Sequence, residues 1–159
     1  TIVIMPGVAE SWTVNEDGDE WTFQIREGAK LHDGTVIDAK TVKYSMIADL
    51  MAYYGYDNMS YAKYRFEEWY GLNVTFPETD PNGDGLVCTF SDGYFPDPMF
   101  PFDMAGQWKR FSLVPYGSHG SYEDTTEVCQ AAYDDYFENP ISAGPYKFVE
   151  FSEQDYVLF

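Results

Sequence analysis

The sequence predicts an α+β fold for a chain of 159 residues. Three observations support this: an alternating, strand-like pattern near the start, helix-like three-to-four spacing in separate stretches, and short apolar runs toward the end. Strand-like and helix-like segments come in separate runs rather than in regular alternation, which is typical of α+β domains. The length is that of one domain.

The first predicted element is a β-hairpin formed by residues 10–15 and 20–26. Apolar and polar residues alternate along the second strand, which is the period of a half-buried strand. Its apolar positions are Trp21, Phe23 and Ile25. The Asp17-Gly18 pair between the two strands is a strong hairpin-turn signal.

The second predicted element is an amphipathic helix over residues 39–52. Asp38 precedes it, and its carboxylate is suited to cap the first turn. Gly55 and Asn58 break the pattern on the far side. Apolar residues recur at three-to-four spacing along one face: they are Val42, Met46 or Ile47, and Leu50.

Two further helices are predicted, which gives the chain two to three helices in all. Ser60 caps one of them, and three residues share its buried face: Ala62, Phe66 and Trp69. The other follows Asp124 and Glu127, which have the spacing of a capping box, and it stops at Asn139-Pro140. Short strands complete the prediction, at residues 72–76, 86–90, 146–151 and 156–159.

Composition excludes several classes of protein. There are 27 acidic and 9 basic residues, a net charge of −18, and aromatic residues make up 19% of the chain. Aromatic richness argues against disorder, no apolar stretch is long enough to span a membrane, and the charge would repel a nucleic-acid backbone. The charge itself has several readings: solubility, a high-salt habitat, mimicry of a nucleic acid, or a cation-binding surface.

Two cysteines, Cys88 and Cys129, lie far apart and outside any CxxC motif, and the chain has two histidines, His32 and His119. A structural zinc site needs four closely placed ligands, so zinc is not expected. A disulfide and two free thiols both remain open, because spacing alone does not decide between them.

The segment after Asp80 resembles the start of a calcium loop. Asp80, Asn82 and Asp84 provide oxygen ligands at positions 1, 3 and 5, and Gly85 stands at position 6. Ser91 stands where a bidentate acid is expected. The segment is therefore either a polar hairpin loop or a calcium site, and calcium binding predicts a thermal shift that EDTA reverses.

No catalytic motif is present: the sequence has no nucleophile elbow, no HExxH and no glycine-rich phosphate loop. His32 lies in a predicted turn, where a structural hydrogen bond is the favoured role. The sequence therefore predicts a protein that is not an enzyme.

Aromatic residues crowd the region after the first helix. Tyr53, Tyr54 and Tyr56 fall in a predicted loop, where aromatic rings with a hydroxyl make good ligand walls. Trp108 and Arg110 belong to the one local cluster of an aromatic residue with cations. That cluster either clamps a carboxylate or forms a surface salt bridge.

One ordered block runs from Pro6 to Val42, and a second covers residues 139–150. Together they resemble the family 5 extracellular solute-binding proteins, the peptide, nickel and oligosaccharide receptors of ABC importers. The second block, residues 139–150, is similar to that family's Asn-Pro-Val-Gly-Thr-Gly-Pro-Tyr-Lys-Phe segment and departs from it at Ser142-Ala143. The first block consists of Pro6-Gly-Val-Ala-Glu-Ser-Trp12, Glu16-Asp17-Gly18, Trp21-Thr-Phe23, Ile25 to Thr35 and Asp38-Ala-Lys-Thr-Val42.

The resemblance implies that residues 1–159 are a fragment of lobe one of a two-lobed protein with a periplasmic-binding-protein-like fold of class II. Residues 1–138 would be mainly its small mixed subdomain of short antiparallel strands, and residues 139–159 a strand segment that enters the main sheet of lobe one. His32-Asp33-Gly34 and Gly144-Pro145-Tyr146 are family landmarks and are expected to be structural.

The resemblance also implies a function: capture of a peptide-like or similar small solute, without catalysis, and delivery to an ABC transporter permease. The expected location is extracellular or periplasmic, with a membrane tether on the full-length protein. Ligand contacts are expected from Tyr53, Tyr54, Tyr56, Trp108 and Arg110. The alternative function is a calcium-stabilised surface or adhesion module that uses the loop of Asp80, Asn82 and Asp84. No other cofactor is expected.

Overall fold

A computed structural model gives the structure of the chain. It describes residues 6–58, 61–62, 64, 86–91, 112–121, 123–152 and 156–158. For residues 58, 87–91, 151–152 and 156–158 the description covers the backbone alone. Strands and helices occur in separate runs along the chain, so the predicted α+β class is confirmed.

Three antiparallel strands form the main sheet, in the order β1-β2-β3. They are β1 (Ala9–Val14), β2 (Glu20–Ile25) and β3 (Val87–Ser91). The hairpin predicted between residues 10 and 26 is therefore confirmed. The strand predicted at residues 86–90 is present one residue later, and it pairs with β2 so that Cys88 lies opposite Phe23.

The β1–β2 turn is organised by a single side-chain oxygen. Asn15 Oδ1 accepts hydrogen bonds from the backbone N–H groups of Gly18, Asp19 and Glu20, at 2.9, 3.1 and 3.1 Å. Its amide nitrogen donates to Asp19 Oδ1 at 2.7 Å. These bonds satisfy turn amides that the strand ladder leaves unpaired.

Helix α1 (Ala39–Tyr54) follows the cap that the sequence predicts. Asp38 Oδ1 accepts from the Thr41 backbone N–H at 2.7 Å and from Thr41 Oγ1 at 2.8 Å. The helix ends at Gly55, whose φ of +86° is open to glycine and strained for other residues. The Gly55 N–H donates to the Met51 carbonyl at 3.0 Å, which closes the last turn.

Helix α1 is buried on almost every side, although the sequence predicts an amphipathic helix. The predicted apolar face packs on the sheet, where Trp21, Phe23 and Ile25 are buried. The opposite face is also covered, because Tyr44 and Ala48 pack against Val114 in a second, smaller core. A helix that is covered on two opposite faces lies in the core of the fold, not on its surface.

A short 3₁₀ helix, Tyr56–Asn58, follows α1. Residues 61, 62 and 64 are helical, and Ala62 is buried as the sequence predicts for that position. The other predicted core residues of that helix, Phe66 and Trp69, lie outside the described residues. The strand predicted at residues 72–76 lies outside them as well.

Helix α2 (Thr126–Glu138) confirms the predicted third helix but corrects its cap. Thr125 is the N-cap, and its Oγ1 accepts from the Val128 N–H at 3.4 Å. The capping-box spacing predicts Asp124 as the cap, but Asp124 Oδ2 instead accepts from the Ser121 N–H at 2.9 Å in the preceding turn. The helix stops at Asn139, as predicted.

The chain ends in a two-stranded antiparallel ribbon, β4 (Glu150–Ser152) with β5 (Tyr156–Leu158). The sequence predicts a first strand that begins at Tyr146, so that prediction is too long. Residues 146–149 are not in a strand, and Tyr146 and Val149 are exposed. Within the described part of the chain, β5 extends only far enough to pair with residues 150–152.

Cys129 is a free, buried thiol. Its Sγ donates to the Ser121 carbonyl at 3.1 Å. Among the residues that the structure describes, none of the helices has the length and apolar character needed to cross a bilayer.

Candidate functional site

Tyr53 and Tyr54 form the C-terminal turn of α1, and their rings meet edge to face with centroids 4.9 Å apart. Tyr54 makes a second edge-to-face contact with Tyr61 at 4.9 Å, and Tyr61 stacks on Tyr64 at 6.2 Å. We call these four residues, Tyr53, Tyr54, Tyr61 and Tyr64, the tyrosine row. Tyr53 is 78% exposed, so the row presents aromatic surface to solvent.

Tyr56 differs from its neighbours because its side chain is only 7% exposed. Its ring packs against Tyr133 of α2 with centroids 5.5 Å apart, and its carbonyl accepts from Thr126 Oγ1 at 3.0 Å. Burial raises the pKa of the Tyr56 hydroxyl well above its ordinary value. Tyr56 therefore fastens the segment after α1 to α2.

The end of α1 has a negative electrostatic character. The last turn of the helix carries no basic residue, although a helix C-terminus carries a partial negative charge. The Asp57 carboxylate folds back over this end: a Cβ placed on Gly55 would lie 2.8 Å from Asp57 Oδ1. A carboxylate therefore sits at the negative pole of the helix.

The remaining predicted site residues lie outside the described residues. They are Trp108 and Arg110 of the aromatic–cation cluster, and Asp80, Asn82 and Asp84 of the predicted calcium loop. The calcium site stays a prediction. In the ranges that the structure covers, side chains of His, Cys, Asp and Glu nowhere form a group of three or more with metal-site spacing.

The two landmark segments of the sequence meet in space. His32 Nε2 lies 3.0 Å from the Gly144 carbonyl, and the His32 backbone N–H donates to the Ser142 carbonyl at 2.9 Å. Because a carbonyl only accepts, Nε2 carries the imidazole hydrogen. The expectation that His32 makes a structural hydrogen bond is confirmed.

Asp33 stabilises the turn that presents His32. Its two carboxylate oxygens accept from the Thr35 backbone N–H at 2.9 Å and from Thr35 Oγ1 at 2.8 Å. These hydrogen bonds from Thr35 hold the pKa of the Asp33 carboxyl below its ordinary value. Hydrogen bonds between Asp33 and Thr35 therefore stabilise the turn from within.

A buried polar network joins α1 and the segment before α2, and the sequence contained no signal for it. The Tyr44 hydroxyl donates to the Gly120 carbonyl and accepts from the His119 backbone N–H, each at 2.8 Å. Burial raises the pKa of Tyr44 to about 12 and lowers that of His119 to about 4. Both groups are therefore neutral near pH 7, which suits a structural role.

Part of the tyrosine row is absent from the contacts that the sequence predicts. Tyrosines crowd this region of the sequence, but ligand contact is predicted there for Tyr53, Tyr54 and Tyr56 alone. The available signal was the three-residue spacing of Tyr61 and Tyr64, which places both on one face of a helix. The structure brings Tyr61 against Tyr54 and sends Tyr56 into the core.

Solved structures of solute-binding proteins share this fold. NikZ from Campylobacter jejuni, in complex with Ni(L-His), superposes with a TM-score of 0.61 at 24% identity, over 96% of this chain and 26% of its own. Haemophilus influenzae OppA in complex with RPPGFSPFR superposes with a TM-score of 0.60 at 19% identity. The superposition covers 93% of this chain and 28% of the OppA chain. The structure is thus a fragment of a periplasmic-binding-protein-like fold.

The chain belongs to the bacterial extracellular solute-binding proteins, family 5, whose family model matches residues 3–159. It is 26% identical to the dipeptide-binding protein of Escherichia coli K12 over the whole chain. Over a 40-residue stretch it is 52% identical to the periplasmic oligopeptide-binding protein OppA of the same organism. The chain spans 29% and 7% of these relatives' lengths in the two matches.

Proposed function

We propose that this chain is part of the substrate-binding component of an ABC importer, and that it captures a peptide-like or similar small solute without catalysing a reaction. The main support for this proposal is the match of the family model to residues 3–159. The hydrogen bond between His32 and Gly144 supports it, because it joins the two landmark segments of the chain.

The proposed protein works outside the cytoplasmic membrane, in the periplasm or at the cell surface, where a tether holds it near its permease. The family's description as extracellular supports this location. Its partners are the solute and the ABC transporter permease. Relatives named for dipeptides, oligopeptides and nickel support a small solute as ligand and leave its class open.

Within the described residues, Tyr53 and Tyr54 are the proposed ligand walls because they bring aromatic surface to the end of a rigid helix. Tyr56 acts from the core behind them, through Tyr133 and Thr126. Trp108 and Arg110 complete the proposed contacts. In the family's two-lobed architecture, such contacts become complete when the second lobe closes over the ligand.

The test is calorimetric titration of the purified protein with a panel of dipeptides and tripeptides and, separately, with the Ni(L-His) complex. We expect saturable binding of one class, with no chemical change in the recovered solute. Trp108→Ala and Tyr53→Ala should weaken that binding. Unchanged affinity in both variants would contradict the proposed ligand-binding site. Absence of binding to every solute of the panel would contradict the proposed function.

A further inference from the structure

We propose that His119 is an acid-sensitive switch: protonation of its imidazole releases α2 from α1 while α1 and the main sheet stay folded. His119 lies in the segment before α2 and contacts both helices. The inference goes beyond the proposed function, because it concerns a conformational change of the domain and does not depend on the solute. Three features of the structure support it: the contacts of His119, the charges around it and the light packing of α2.

His119 lies at the joint between the two helices. Its ring packs against Tyr133 and Tyr136 of α2, with centroids 5.3 and 5.0 Å away. Its backbone N–H donates to the Tyr44 hydroxyl of α1 at 2.8 Å. The side chain is 6% exposed, so an imidazolium formed there would be a buried charge. A change at the imidazole therefore acts directly on the contact between the helices.

The imidazole has uncharged neighbours in the described part of the chain. They are the Tyr44 hydroxyl, the Tyr133 and Tyr136 rings, and the Ser118 hydroxyl, whose oxygen lies 2.8 Å from Nδ1. The Cys129 thiol and the Asp124 carboxylate lie beside the next residue, Gly120. Asp124 accepts a hydrogen bond there from the Ser121 N–H at 2.9 Å.

The other charged groups of the two helices do not supply a carboxylate contact to His119. The charged residues of α1 are Lys40, Lys43 and Asp49, and Lys40 Nζ lies 3.8 Å from the centre of the Tyr116 ring. The acidic residues of α2 are all exposed to solvent: Glu127, Asp134, Asp135 and Glu138. Burial of an imidazolium at His119 is therefore unfavourable, because a buried charge needs a partner.

The sign of the pH effect follows from this burial. Burial lowers the pKa of His119 to about 4 while α2 is docked. An imidazole released to water takes up its proton near its ordinary pKa of about 6.5. Between these two values the released state binds a proton that the docked state does not bind. Acid therefore shifts the equilibrium toward release, and the effect is absent above about pH 7.

Helix α2 is the element that this shift releases, because it is lightly packed. Cys129 is its one buried residue, whereas α1 has eleven. An element with few buried side chains opens at a lower free energy than the core. Release of α2 also removes the Tyr133 ring and the Thr126 hydroxyl from Tyr56. The segment that follows α1 would thus loosen together with α2.

The Cys129 thiol reports this release, because it is 0% exposed and lies against Gly120 while α2 is docked. The purified protein is treated with a dithiodipyridine at about pH 7 and about pH 5.5, and peptide mass spectrometry separates Cys129 from Cys88. Dividing each labelling rate by that of the urea-unfolded protein at the same pH gives an opening constant. We expect this constant to rise about fivefold at the lower pH and to exceed the global unfolding constant from urea titration.

Variants assign the effect to His119. His119→Phe keeps a ring between the tyrosines and His119→Gln keeps a polar group, and neither side chain takes up a proton, so the rise should vanish in both. His32→Gln is the matched control, because it removes the other histidine and should keep the rise. Asp49 also titrates in this range, since desolvation raises its pKa to about 6, but it is present in every variant and cancels in the comparison.

Three results would overturn the inference. The first is a wild-type opening constant that does not rise between the two pH values. The second is a rise that persists in His119→Phe or His119→Gln. The third is an opening constant for Cys129 equal to the global unfolding constant, since α2 would then open only with the whole domain.

Discussion

His32 and Gly144 are 112 positions apart in the sequence, and a 3.0 Å hydrogen bond joins the imidazole Nε2 of one to the carbonyl of the other. The Asp33 turn orients the imidazole, and the neighbouring bond from the His32 N–H to the Ser142 carbonyl runs beside it. This pair fastens the segment after α2 to the turn before α1.

Replacing His32 should test this fastening. We expect His32→Ala to lower the free energy of unfolding by about 1 kcal/mol, the usual value of one hydrogen bond between neutral groups. The backbone bond to Ser142 remains, which limits the loss. Urea unfolding measures the effect, and His32→Gln, which offers a new N–H donor, should recover part of it. A midpoint that does not move in His32→Ala would show that the bond contributes nothing.

Gly120 should tolerate no side chain. Its φ is +71°, and a Cβ there would lie 2.9 Å from Cys129 Sγ and 3.1 Å from Cys129 Cα. We expect Gly120→Ala to cost about 2 kcal/mol or more, from backbone strain and the clash with α2. Gly28→Ala is the matched control, because its φ is +74° but nothing lies within 4 Å. Equal decreases in melting temperature for the two variants would show that the clash with Cys129 does not contribute to the loss of stability.

His119 should make the fold sensitive to acid. Its ring packs against Tyr133 and Tyr136, its Nδ1 lies 2.8 Å from Ser118 Oγ, and burial lowers its pKa to about 4. The unfolded chain takes up this proton near the ordinary pKa of 6.5 and the folded chain does not, so stability falls as pH drops from 6.5 toward 4.

The size of this acid effect is on the order of 2 kcal/mol, allowing for partial solvent screening. Urea unfolding at several pH values measures it as a difference between wild type and His119→Phe. The carboxylates titrate in both proteins and cancel in that difference. Parallel pH profiles for the two proteins would be the contrary result.

Salt should stabilise the protein. The chain carries a net charge of −18, and self-repulsion of this kind is weakened as the Debye length falls from about 10 Å at 0.1 M salt to 3 Å at 1 M. We expect the melting temperature to rise between these concentrations, and to rise alike in NaCl and KCl. A rise confined to one cation would indicate specific binding, and no rise would contradict the repulsion argument.

Local signals predicted the elements well. The alternation of Trp21, Phe23 and Ile25 correctly predicted the hairpin, and Asp38 correctly predicted the start of α1. Each of these signals depends only on residues a few positions away. The cap of α2 was missed for the opposite reason. Asp124 and Thr125 are both good caps in isolation, and the contact of Asp124 with Ser121 decides between them.

Burial that depends on distant segments was not predictable from local pattern. Lys43 and Ser45 are polar residues of a helix that the sequence predicts to be amphipathic, yet both are buried. Ser45 Oγ accepts from the Val114 N–H at 3.0 Å, a partner 69 positions away. The candidate site shows the same limit, since the sequence grouped Tyr53 and Tyr56 in one loop whereas the structure exposes the first and buries the second.

The nearly complete burial of α1 has a consequence for how this domain opens. Its backbone amides lie under the sheet on one side and under Val114 and Tyr136 on the other. Hydrogen exchange of those amides therefore requires global unfolding, whereas residues 144–149, outside any strand and largely exposed, exchange through small local fluctuations. Tyr53 and Tyr54 thus project from the more deeply buried of the two described α-helices, and a solute bound at them would contact a firmly packed part of the molecule.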